Sequence, residues 1–244
     1  MALSTTTALV LAGGFGTRLQ SVVKDVPKPM AEISGKPFLY YLFLYLKKCG
    51  IKKVVLLVGF KHEIIESYFK NNYEGIEVEY SIEHEPLGTG GAILQAMKQL
   101  NENCFLLNGD TFFDVDLSAM ESSFEAAKTD VALALSLQQN FDRYGTVRFN
   151  EENLISEFQE KKFVQEGWIN GGVYWINKNL FSKIETTLNT KLPTKFSLEK
   201  EVFEAFTTSL HLKAFKQEKY FIDIGIPDDY ARAQNELPQL FSQQ

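Results

Sequence analysis

The chain has 244 residues, of which 45% are hydrophobic and 23% are charged, a composition typical of a globular domain with a substantial core. Its net charge of -6 argues against a protein that binds nucleic acid mainly through phosphates, although local positive charge in a cleft can still hold a small anion. The 2 cysteines and 3 histidines form neither a disulfide framework nor a zinc-like spacing, which favours a reducing, cytoplasmic location.

The start of the chain, MALSTTTALVLAGG, has no basic segment and no small-residue cleavage site, so we expect no signal peptide. The longest apolar run, FLYYLFLYL from Phe38 to Leu46, is far shorter than the roughly 20 residues of a membrane span. Pro37 precedes it, and two lysines and Gly50 follow it, which are helix start and stop signals. We therefore predict a helix that is buried on most sides, and no membrane partner.

Strands and helices alternate through the first part of the sequence. Four apolar or alternating runs predict strands: TALVLA, KKVVLLVGF, GIEVEYSIE and NCFLLNGD. Besides the run after Pro37, three segments predict helices: KHEIIESYFK, TGGAILQAMKQL and SAMESSFEAAK. This alternation is typical of right-handed crossovers and a parallel sheet.

After Asp130 the pattern changes. Four segments predict strands with few helices between them, which indicates antiparallel additions: VALALSL, GTVRFN, LISEFQE and WINGGVYWI. FSLEKEVFEAF then predicts a helix, LKAFKQEKYFIDIG two strands, and PDDYARAQNEL a closing helix with Pro227 near its start. Since we find no repeat, low-complexity tract or linker, we predict one domain over residues 1–244, with a nucleotide-binding half over 1–130 and a second half over 131–244.

Open parallel sheets bind ligands beyond the carboxyl ends of their strands, where the segments GGFGTR, NGD and FIDIG fall. GGFGTR lacks the third glycine of a dinucleotide fingerprint, and the chain contains no GxxxxGK[ST] motif. What remains is a long glycine-rich loop with Arg18, Lys24 and Lys28. Its amides could cradle phosphates, with Arg18 on two oxygens and Lys28 as a point charge. The alternative is a surface loop with ordinary lysines.

Asp110 and Asp223 each follow an apolar strand. A lone aspartate at a strand end is usually a turn residue or a helix cap. Two aspartates from distant segments could instead hold Mg²⁺ against the phosphates of a nucleotide. Asp114 and Asp116 are rivals for Asp110 that the pattern does not exclude.

The segment LAGGFGTRLQSVVKDVPKPMAEISGKP resembles the signature of the sugar-1-phosphate nucleotidyltransferases, also called nucleotide-sugar pyrophosphorylases. The resemblance continues in order through EPLGTGGAI, LLNGD, YGTV, ISEFQEK, INGGVY, FSLEKEVF and FIDIGIPDDYARA, so it covers nearly the whole chain. Many relatives have a proline and a threonine after RL, whereas this chain reads RLQSVVKDVPKPM. This variant is most similar to members that transfer a guanylyl group to a heptose 1-phosphate.

The resemblance implies a Rossmann-like α/β nucleotidyltransferase fold, with a mixed, mostly parallel central sheet flanked by helices and a smaller strand-rich part for the sugar. It implies GTP, or another nucleoside triphosphate, and a sugar 1-phosphate as substrates. Asp110 and Asp223 would bind Mg²⁺. Residues implied at the nucleotide are Leu11, Ala12, Gly13, Gly14, Gly16, Thr17, Arg18, Lys28, Glu85, Gly88 and Thr89. Residues implied at the sugar phosphate are Gly145, Glu160, Lys161, Asn170 and Gly171, the last of which is often alanine in relatives.

The implied reaction is attack by an oxygen of the sugar 1-phosphate on the α-phosphorus, with in-line loss of pyrophosphate. The attacking phosphate is already ionised at pH 7, so no general base is required, and the main difficulty is to bring two polyanions together. Arg18 would hold the departing pyrophosphate, Lys28 the α-phosphate and Lys161 the phosphate of the sugar. Glu85 would favour GTP, because an ionised carboxylate can accept the adjacent N1–H and 2-amino donors of guanine.

The sequence leaves other functions open. Within the family these are uridylyl transfer, mannose-1-phosphate guanylyl transfer, and a non-catalytic regulator that binds nucleotide sugars. An NAD(P)-dependent oxidoreductase is disfavoured by the missing third glycine. The chain stops soon after the last predicted helix, so we expect no left-handed β-helix or acyltransferase extension. The sequence does not decide the sugar, feedback regulation, or whether the chain forms a homo-oligomer.

Overall fold

The structure, a computed structural model, describes residues 3–14, 19, 23, 26–100 and 102–242. The strands, in chain order, are β1 (Thr7–Leu11), β2 (Glu32–Ile33), β3 (Lys36–Pro37), β4 (Lys53–Val58), β5 (Asn72–Tyr73), β6 (Ile76–Ile82), β7 (Cys104–Asn108), β8 (Thr111–Phe113), β9 (Val131–Phe141), β10 (Val147–Phe149), β11 (Ile155–Phe158), β12 (Val164–Ile176), β13 (Leu212–Gln217) and β14 (Phe221–Asp223). The α-helices are α1 (Phe38–Cys49), α2 (His62–Phe69), α3 (Gly88–Met97), α4 (Leu117–Ser122), α5 (Leu180–Leu188) and α6 (Pro227–Phe241). A 3-10 turn spans Lys28–Met30, and a π-helical segment spans Glu199–Glu204.

The central sheet has 8 strands in the order β13-β9-β12-β7-β1-β4-β6-β5. The pairs β13/β9, β7/β1, β1/β4 and β4/β6 are parallel, and the pairs that include β12 or β5 are antiparallel. This architecture confirms the predicted α/β fold with a mixed, mostly parallel sheet. The sheet is continuous from the strands of the first half to β9, β12 and β13 of the second half.

Helices cover both faces of the sheet, because alternate strand residues point to opposite faces. Ala8 and Val10 of β1 face the core formed with α1, α2 and α6. Leu9 faces the core formed with α3, α5 and the π-helical segment. Helix α1 is buried on most sides, as its apolar run predicts, and it ends where Gly50 takes a left-handed conformation.

Two predicted helices differ from the structure. The helix predicted for SAMESSFEAAK is limited to α4, since the hydroxyls of Ser122 and Ser123 donate to the carbonyls of Ser118 and Met120 and compete with further helical bonds. The segment FSLEKEVFEAF forms the π-helical turns rather than an α-helix. Among the described helices, none combines the length and the apolar character that crossing a membrane requires.

Candidate active site

A cleft of about 670 Å³ opens beyond the carboxyl ends of β1, β4 and β7. The register of the sheet places Leu11 beside both Leu57 and Asn108, so the loops that follow these strands converge at one edge. Residues predicted at the nucleotide or at Mg²⁺ that line the cleft are Leu11, Gly13, Gly14, Lys28, Glu85, Gly88, Thr89, Asp110 and Asp223. Ala12 is fully buried beneath them.

Lys28 stands between the two predicted metal-binding carboxylates. Its Nζ lies 2.6 Å from Asp110 Oδ2 and 3.7 Å from Asp223 Oδ1, and its side chain is only 13% exposed. Lys28 is the first residue of the 3-10 turn and lies between Pro27 and Pro29, whose rings limit the backbone conformation. The lysine is therefore a positioned cation rather than a mobile surface charge.

A short antiparallel pair brings the two aspartates together. Strand β8 pairs with β14 so that Thr111 lies opposite Asp223, and the Ile224 N–H donates to the Asp110 carbonyl at 3.0 Å. The side chains are held as well: the Thr111 hydroxyl donates to Asp110 Oδ1 at 3.2 Å, and the Gly225 N–H donates to Asp223 Oδ1 at 2.7 Å. Residues more than 100 positions apart in the printed sequence thus form one site.

The charge balance at this pair suits a cation. Burial raises the pKa of the Asp223 carboxyl, the negative charge of Asp110 raises it further, and Lys28 opposes both effects. Mg²⁺ is commonly bound through one or two protein carboxylates, with substrate phosphates and water completing its shell, so these residues fit the ion. Over the described ranges, no group of three or more His, Cys, Asp or Glu side chains is arranged to hold a metal.

A network of hydrogen bonds through Arg143 and Tyr144 reaches the other carboxylate oxygen of Asp223. The Tyr144 hydroxyl lies 3.5 Å from Asp223 Oδ2 and accepts a bond from Arg143 Nη2 at 2.9 Å. The same guanidinium donates to Asp229 at 2.6 Å, and Arg232 donates to the other oxygen of Asp229 at 2.9 Å. The buried Asp229 is thus paired on both oxygens, which is required for a charge with so little access to water.

The rival aspartates do not line the cleft. Asp116 is the N-cap of α4, and its Oδ1 accepts a bond from the Ala119 N–H at 2.9 Å. Asp114 faces α1, where burial raises the pKa of Tyr45 and of Cys49 and the negative charge of Asp114 raises both further. Of the candidates after β7, Asp110 is therefore the one that faces the cleft.

The described part of the glycine-rich loop packs closely at its start. A β-carbon on Gly13 would lie 2.9 Å from Glu83 Oε1 and 3.2 Å from the Gly59 nitrogen. A β-carbon on Gly109 would lie 2.4 Å from the Leu11 carbonyl oxygen, so β1 and β7 can approach this closely only with glycine there. The predicted residues Gly16, Thr17, Arg18 and Lys24 lie outside the described residues.

Glu83 forms the other wall of the cleft. It follows β6 directly, is half-buried, and accepts a bond from the Leu87 N–H on Oε2 at 3.0 Å, which leaves Oε1 beside Gly13. Burial raises the pKa of its carboxyl, an effect that the Leu87 bond opposes. Glu85 also lines the cleft but is exposed.

Residues 7–239 match the nucleotidyl transferase family. The chain belongs to this family. It is 50% identical over 231 residues to D-glycero-alpha-D-manno-heptose 1-phosphate guanylyltransferase of Aneurinibacillus thermoaerophilus, covering 94% of this chain and 97% of the relative. It is 48% identical over 223 residues to the protein of that name from Campylobacter jejuni subsp. jejuni serotype O:2 (strain ATCC 700819 / NCTC 11168), covering 91% and 96%. A crystal structure of HddC from Yersinia pseudotuberculosis complexed with GMP-PN has 36% identity and a TM-score of 0.81, covering 95% of this chain and 99% of that chain.

This nucleotidyltransferase carries its predicted sugar-phosphate residues just before β10, after β11 and along β12. Asn170 lies where the pairing of β12 with β9 shifts register; its Nδ2 donates to the Tyr174 hydroxyl at 2.9 Å. Glu160 and Lys161 are exposed and follow β11. Gly145 and Gly171 are closely packed. A β-carbon on Gly145 would lie 2.3 Å from the Gln159 carbonyl oxygen, and one on Gly171 would lie 2.5 Å from the Phe113 ring. Within the described part of the chain, the lining of the cleft includes none of these five, so their role stays a prediction.

Two carboxylates of the cleft were not predicted from the sequence of this nucleotidyltransferase. Glu83 follows a parallel strand, so the strand-end rule that selects Asp110 could also have selected it. Glu199 lies in FSLEKEVF and reaches the cleft from the second half of the chain. Its position depends on the π-helical turns, for which the sequence has no periodic pattern.

Proposed function

We propose that this enzyme transfers the guanylyl group of GTP to D-glycero-alpha-D-manno-heptose 1-phosphate, giving the nucleotide-diphosphate sugar and pyrophosphate. The observation that carries the proposal is the buried Lys28 ammonium between Asp110 and Asp223 at the end of a cleft that begins at a glycine-rich loop. Such a site can hold a polyanion and a divalent ion side by side. The names of the relatives support the choice of guanylyl group and heptose.

In the proposed reaction, an anionic oxygen of the sugar 1-phosphate forms a bond to the α-phosphorus of GTP. The bond from that phosphorus to the bridging oxygen of the β-phosphate breaks, and its electron pair leaves with pyrophosphate. Neither step needs a protein base, because the attacking oxygen is already deprotonated at neutral pH. The protein contributes alignment and charge compensation, which dominate phosphoryl-transfer catalysis.

The charge would be compensated by residues with distinct tasks. Lys28, positioned by its flanking prolines, would bind the α-phosphate, whose charge increases as the new bond forms. Asp110 and Asp223 would hold Mg²⁺, which when bound supplies positive charge to the phosphate oxygens. We assign Arg18 to the pyrophosphate and Lys161 to the phosphate of the sugar, as the sequence predicts.

Guanine selection would depend on the acidic wall of the cleft. The half-buried Glu83 has Oε1 beside Gly13, while Oε2 accepts a bond from the Leu87 N–H. An ionised carboxylate there can accept the N1–H and 2-amino donors of guanine, whereas uracil offers one N–H between two carbonyls. We assign this contact to Glu83 and place the exposed Glu85 at the rim, where it contacts the nucleotide with less effect on selectivity.

The two halves of the chain would divide the substrates. We assign residues 1–130 to the nucleotide and residues 131–244 to the sugar phosphate. Asp223 and Glu199, both from the second half, reach the cleft that the first half builds. Such a joint site would bring the two phosphates together only when both substrates are present.

The test is a pyrophosphate-release assay over four nucleoside triphosphates and a panel of sugar 1-phosphates, with the product identified by mass spectrometry. We expect GTP with the heptose 1-phosphate to give the highest kcat/KM. Highest activity with UTP or with mannose 1-phosphate would replace the proposed substrates while keeping the reaction class. Binding of a nucleotide sugar without any pyrophosphate release would contradict the proposed catalysis.

A further inference from the structure

Glu199 is a carboxylate in the cleft that the proposed transfer of the guanylyl group does not use. Its Oε2 accepts bonds from the hydroxyls of Thr89 and Ser197, both at 2.8 Å. Across the residues that the structure describes, no hydrogen bond to Oε1 is found, and Glu199 lines the cleft. One oxygen is thus fixed by the protein, while the other is available to a ligand.

The backbone around Glu199 is held in place. The Leu198 N–H donates to the Thr89 hydroxyl at 2.9 Å, and the Gly90 N–H donates to the Phe196 carbonyl at 3.0 Å. Glu199 is the first residue of a π-helical segment, an irregularity that often marks functional sites. Its side chain is therefore pre-positioned, which reduces the conformational entropy that it would lose on binding.

Glu199 belongs to the sugar end of the cleft. The Tyr174 hydroxyl accepts a bond from Asn170 at 2.9 Å, and the Tyr174 ring packs against Phe203 of the π-helical segment that begins at Glu199, with ring centroids 5.5 Å apart. Burial raises the pKa of this hydroxyl, and the negative charge of Glu199 raises it further. Tyr174 thus connects the segment that carries Glu199 to the predicted sugar residue Asn170.

The chemistry of the free oxygen limits its partner. An ionised carboxylate oxygen only accepts hydrogen bonds, and it repels phosphate. Between a phosphate-binding end and a guanine-binding wall, the remaining neutral donors of the two substrates are hydroxyl groups. The proximity to Tyr174 and Asn170 favours those of the sugar over those of the ribose.

We propose, on the basis of the proposed function, that Glu199 determines sugar specificity by accepting a hydrogen bond on Oε1 from a hydroxyl of the sugar 1-phosphate. Thr89 and Ser197 act as positioning residues that orient this carboxylate. Truncation of Glu199 lowers kcat/KM for the heptose 1-phosphate by about tenfold to a hundredfold, since a bond to a charged group is lost. The KM for GTP is unchanged.

The experiment is a double-mutant cycle between protein and substrate. Wild type and Glu199→Ala are each assayed with the heptose 1-phosphate and with mono-deoxy analogues that lack one hydroxyl at a time, at saturating GTP. The wild type loses about tenfold or more in kcat/KM on a single analogue, and Glu199→Ala does not distinguish that analogue from the parent sugar. Glu204→Ala, an exposed glutamate on the same segment, behaves as wild type.

Further measurements make the result unambiguous. Thermal unfolding identifies a folding defect in Glu199→Ala, and Glu199→Gln, which keeps an acceptor for Thr89 and Ser197, provides a second variant with intact packing. Equal losses on every analogue, or a raised KM for GTP in the variants, would overturn the role in sugar recognition. If the wild type uses no sugar 1-phosphate at all, the proposed function and the role of Glu199 are both overturned. If the wild type is active but shows no coupling between Glu199 and any sugar hydroxyl, only the role of Glu199 is overturned.

Discussion

Lys28 and Asp110 form a 2.6 Å ion pair at the floor of the cleft, and the same ammonium lies 3.7 Å from Asp223. One cation thus offsets two carboxylates, one from each half of the chain. A divalent ion bound by both aspartates would take over this neutralisation. Lys28 would then be released to interact with phosphate, so metal binding and substrate binding are expected to be coupled.

We predict that Asp110→Asn and Asp223→Asn each lower kcat by at least about a hundredfold, because the loss of one ligand moves the metal ion out of position. The hydrophobic core is unaffected, so the fold stays intact. The effect is measured by titrating Mg²⁺ into the activity assay. Calorimetry in the presence of GTP then measures Mg²⁺ binding directly. Asp116→Asn is the matched control, since asparagine also serves as an N-cap on α4. Full activity of Asp223→Asn in the presence of a chelator would refute the assignment.

The two lysines are predicted to give different kinetic defects. Lys28→Met should lower kcat by roughly 10²–10³, because its charge is aimed at the reacting phosphate. Lys161→Met should mainly raise the KM for the sugar phosphate. Steady-state kinetics with each substrate varied in turn distinguishes the two, and an identical defect confined to GTP binding would show that the roles are assigned wrongly.

The location of Asp110 and Asp223 was predictable in part. In the sequence each aspartate comes at the end of an apolar run, and open α/β sheets bind ligands at the carboxyl ends of their strands. That they meet in one site was not predictable, because it depends on the pairing of β8 with β14, strands of 3 residues each. Strands this short carry no periodic pattern from which a long-range pair can be inferred.

The two unpredicted carboxylates show a second limit. Glu83 and Glu85 both lie in SIEHEP, and the turn in which the Leu87 N–H binds Glu83 determines which one is half-buried. Glu199 reaches the cleft because π-helical turns replace the α-helix that its sequence favours. Both features come from tertiary contacts with Leu87, Thr89 and Phe196, which local propensity does not encode.

Gly109 is predicted to be essential for the packing of β1 against β7. In Gly109→Ala the new methyl group would lie 2.4 Å from the carbonyl oxygen of Leu11, the last residue of β1, and Gly109 directly follows β7. We expect a loss of about 1–3 kcal/mol in the free energy of unfolding, or roughly 2–4 °C in Tm per kcal/mol. In the control Gly59→Ala the nearest contact would be 3.5 Å, so Tm should change little. Equal Tm values for the two variants would contradict the packing argument.

Nucleotide selectivity is predicted to depend on Glu83 more than on Glu85. Glu83→Gln would turn one acceptor into a donor that faces a donor of guanine, at a cost of about 1–3 kcal/mol, or roughly tenfold to a hundredfold in kcat/KM for GTP. Glu85→Gln serves as the matched control because it makes the same change on an exposed residue. The measurement is the ratio of kcat/KM for GTP and UTP in the three proteins. A ratio that moves only in Glu85→Gln would assign the base contact to Glu85, and a ratio that moves in neither would place it elsewhere.

The same assignment predicts a pH dependence. Burial raises the pKa of Glu83 above its ordinary value of 4.5, so its carboxyl takes up a proton at a higher pH than an exposed glutamate does. The protonated form presents a donor to guanine, and kcat/KM for GTP should therefore fall as the pH decreases through this raised pKa. The ratio of wild type to Glu83→Gln isolates the effect, because titrations of the substrate phosphates and of the aspartates are common to both proteins.

The effect on stability has the opposite sign. The folded state binds the Glu83 proton more tightly than the unfolded state does, so Glu83 contributes stability below its unfolded pKa, and this contribution is lost as the pH rises through the raised folded pKa. The Tm of wild type relative to Glu83→Gln should therefore decrease from acidic to neutral pH, while the kcat/KM ratio for GTP increases over the same range. A Tm difference that falls while the kcat/KM ratio rises would show that the ionised, half-buried carboxylate of Glu83 is unfavourable for folding but required for recognising guanine. A kcat/KM ratio that stays constant with pH would show that the charge of Glu83 does not contact guanine.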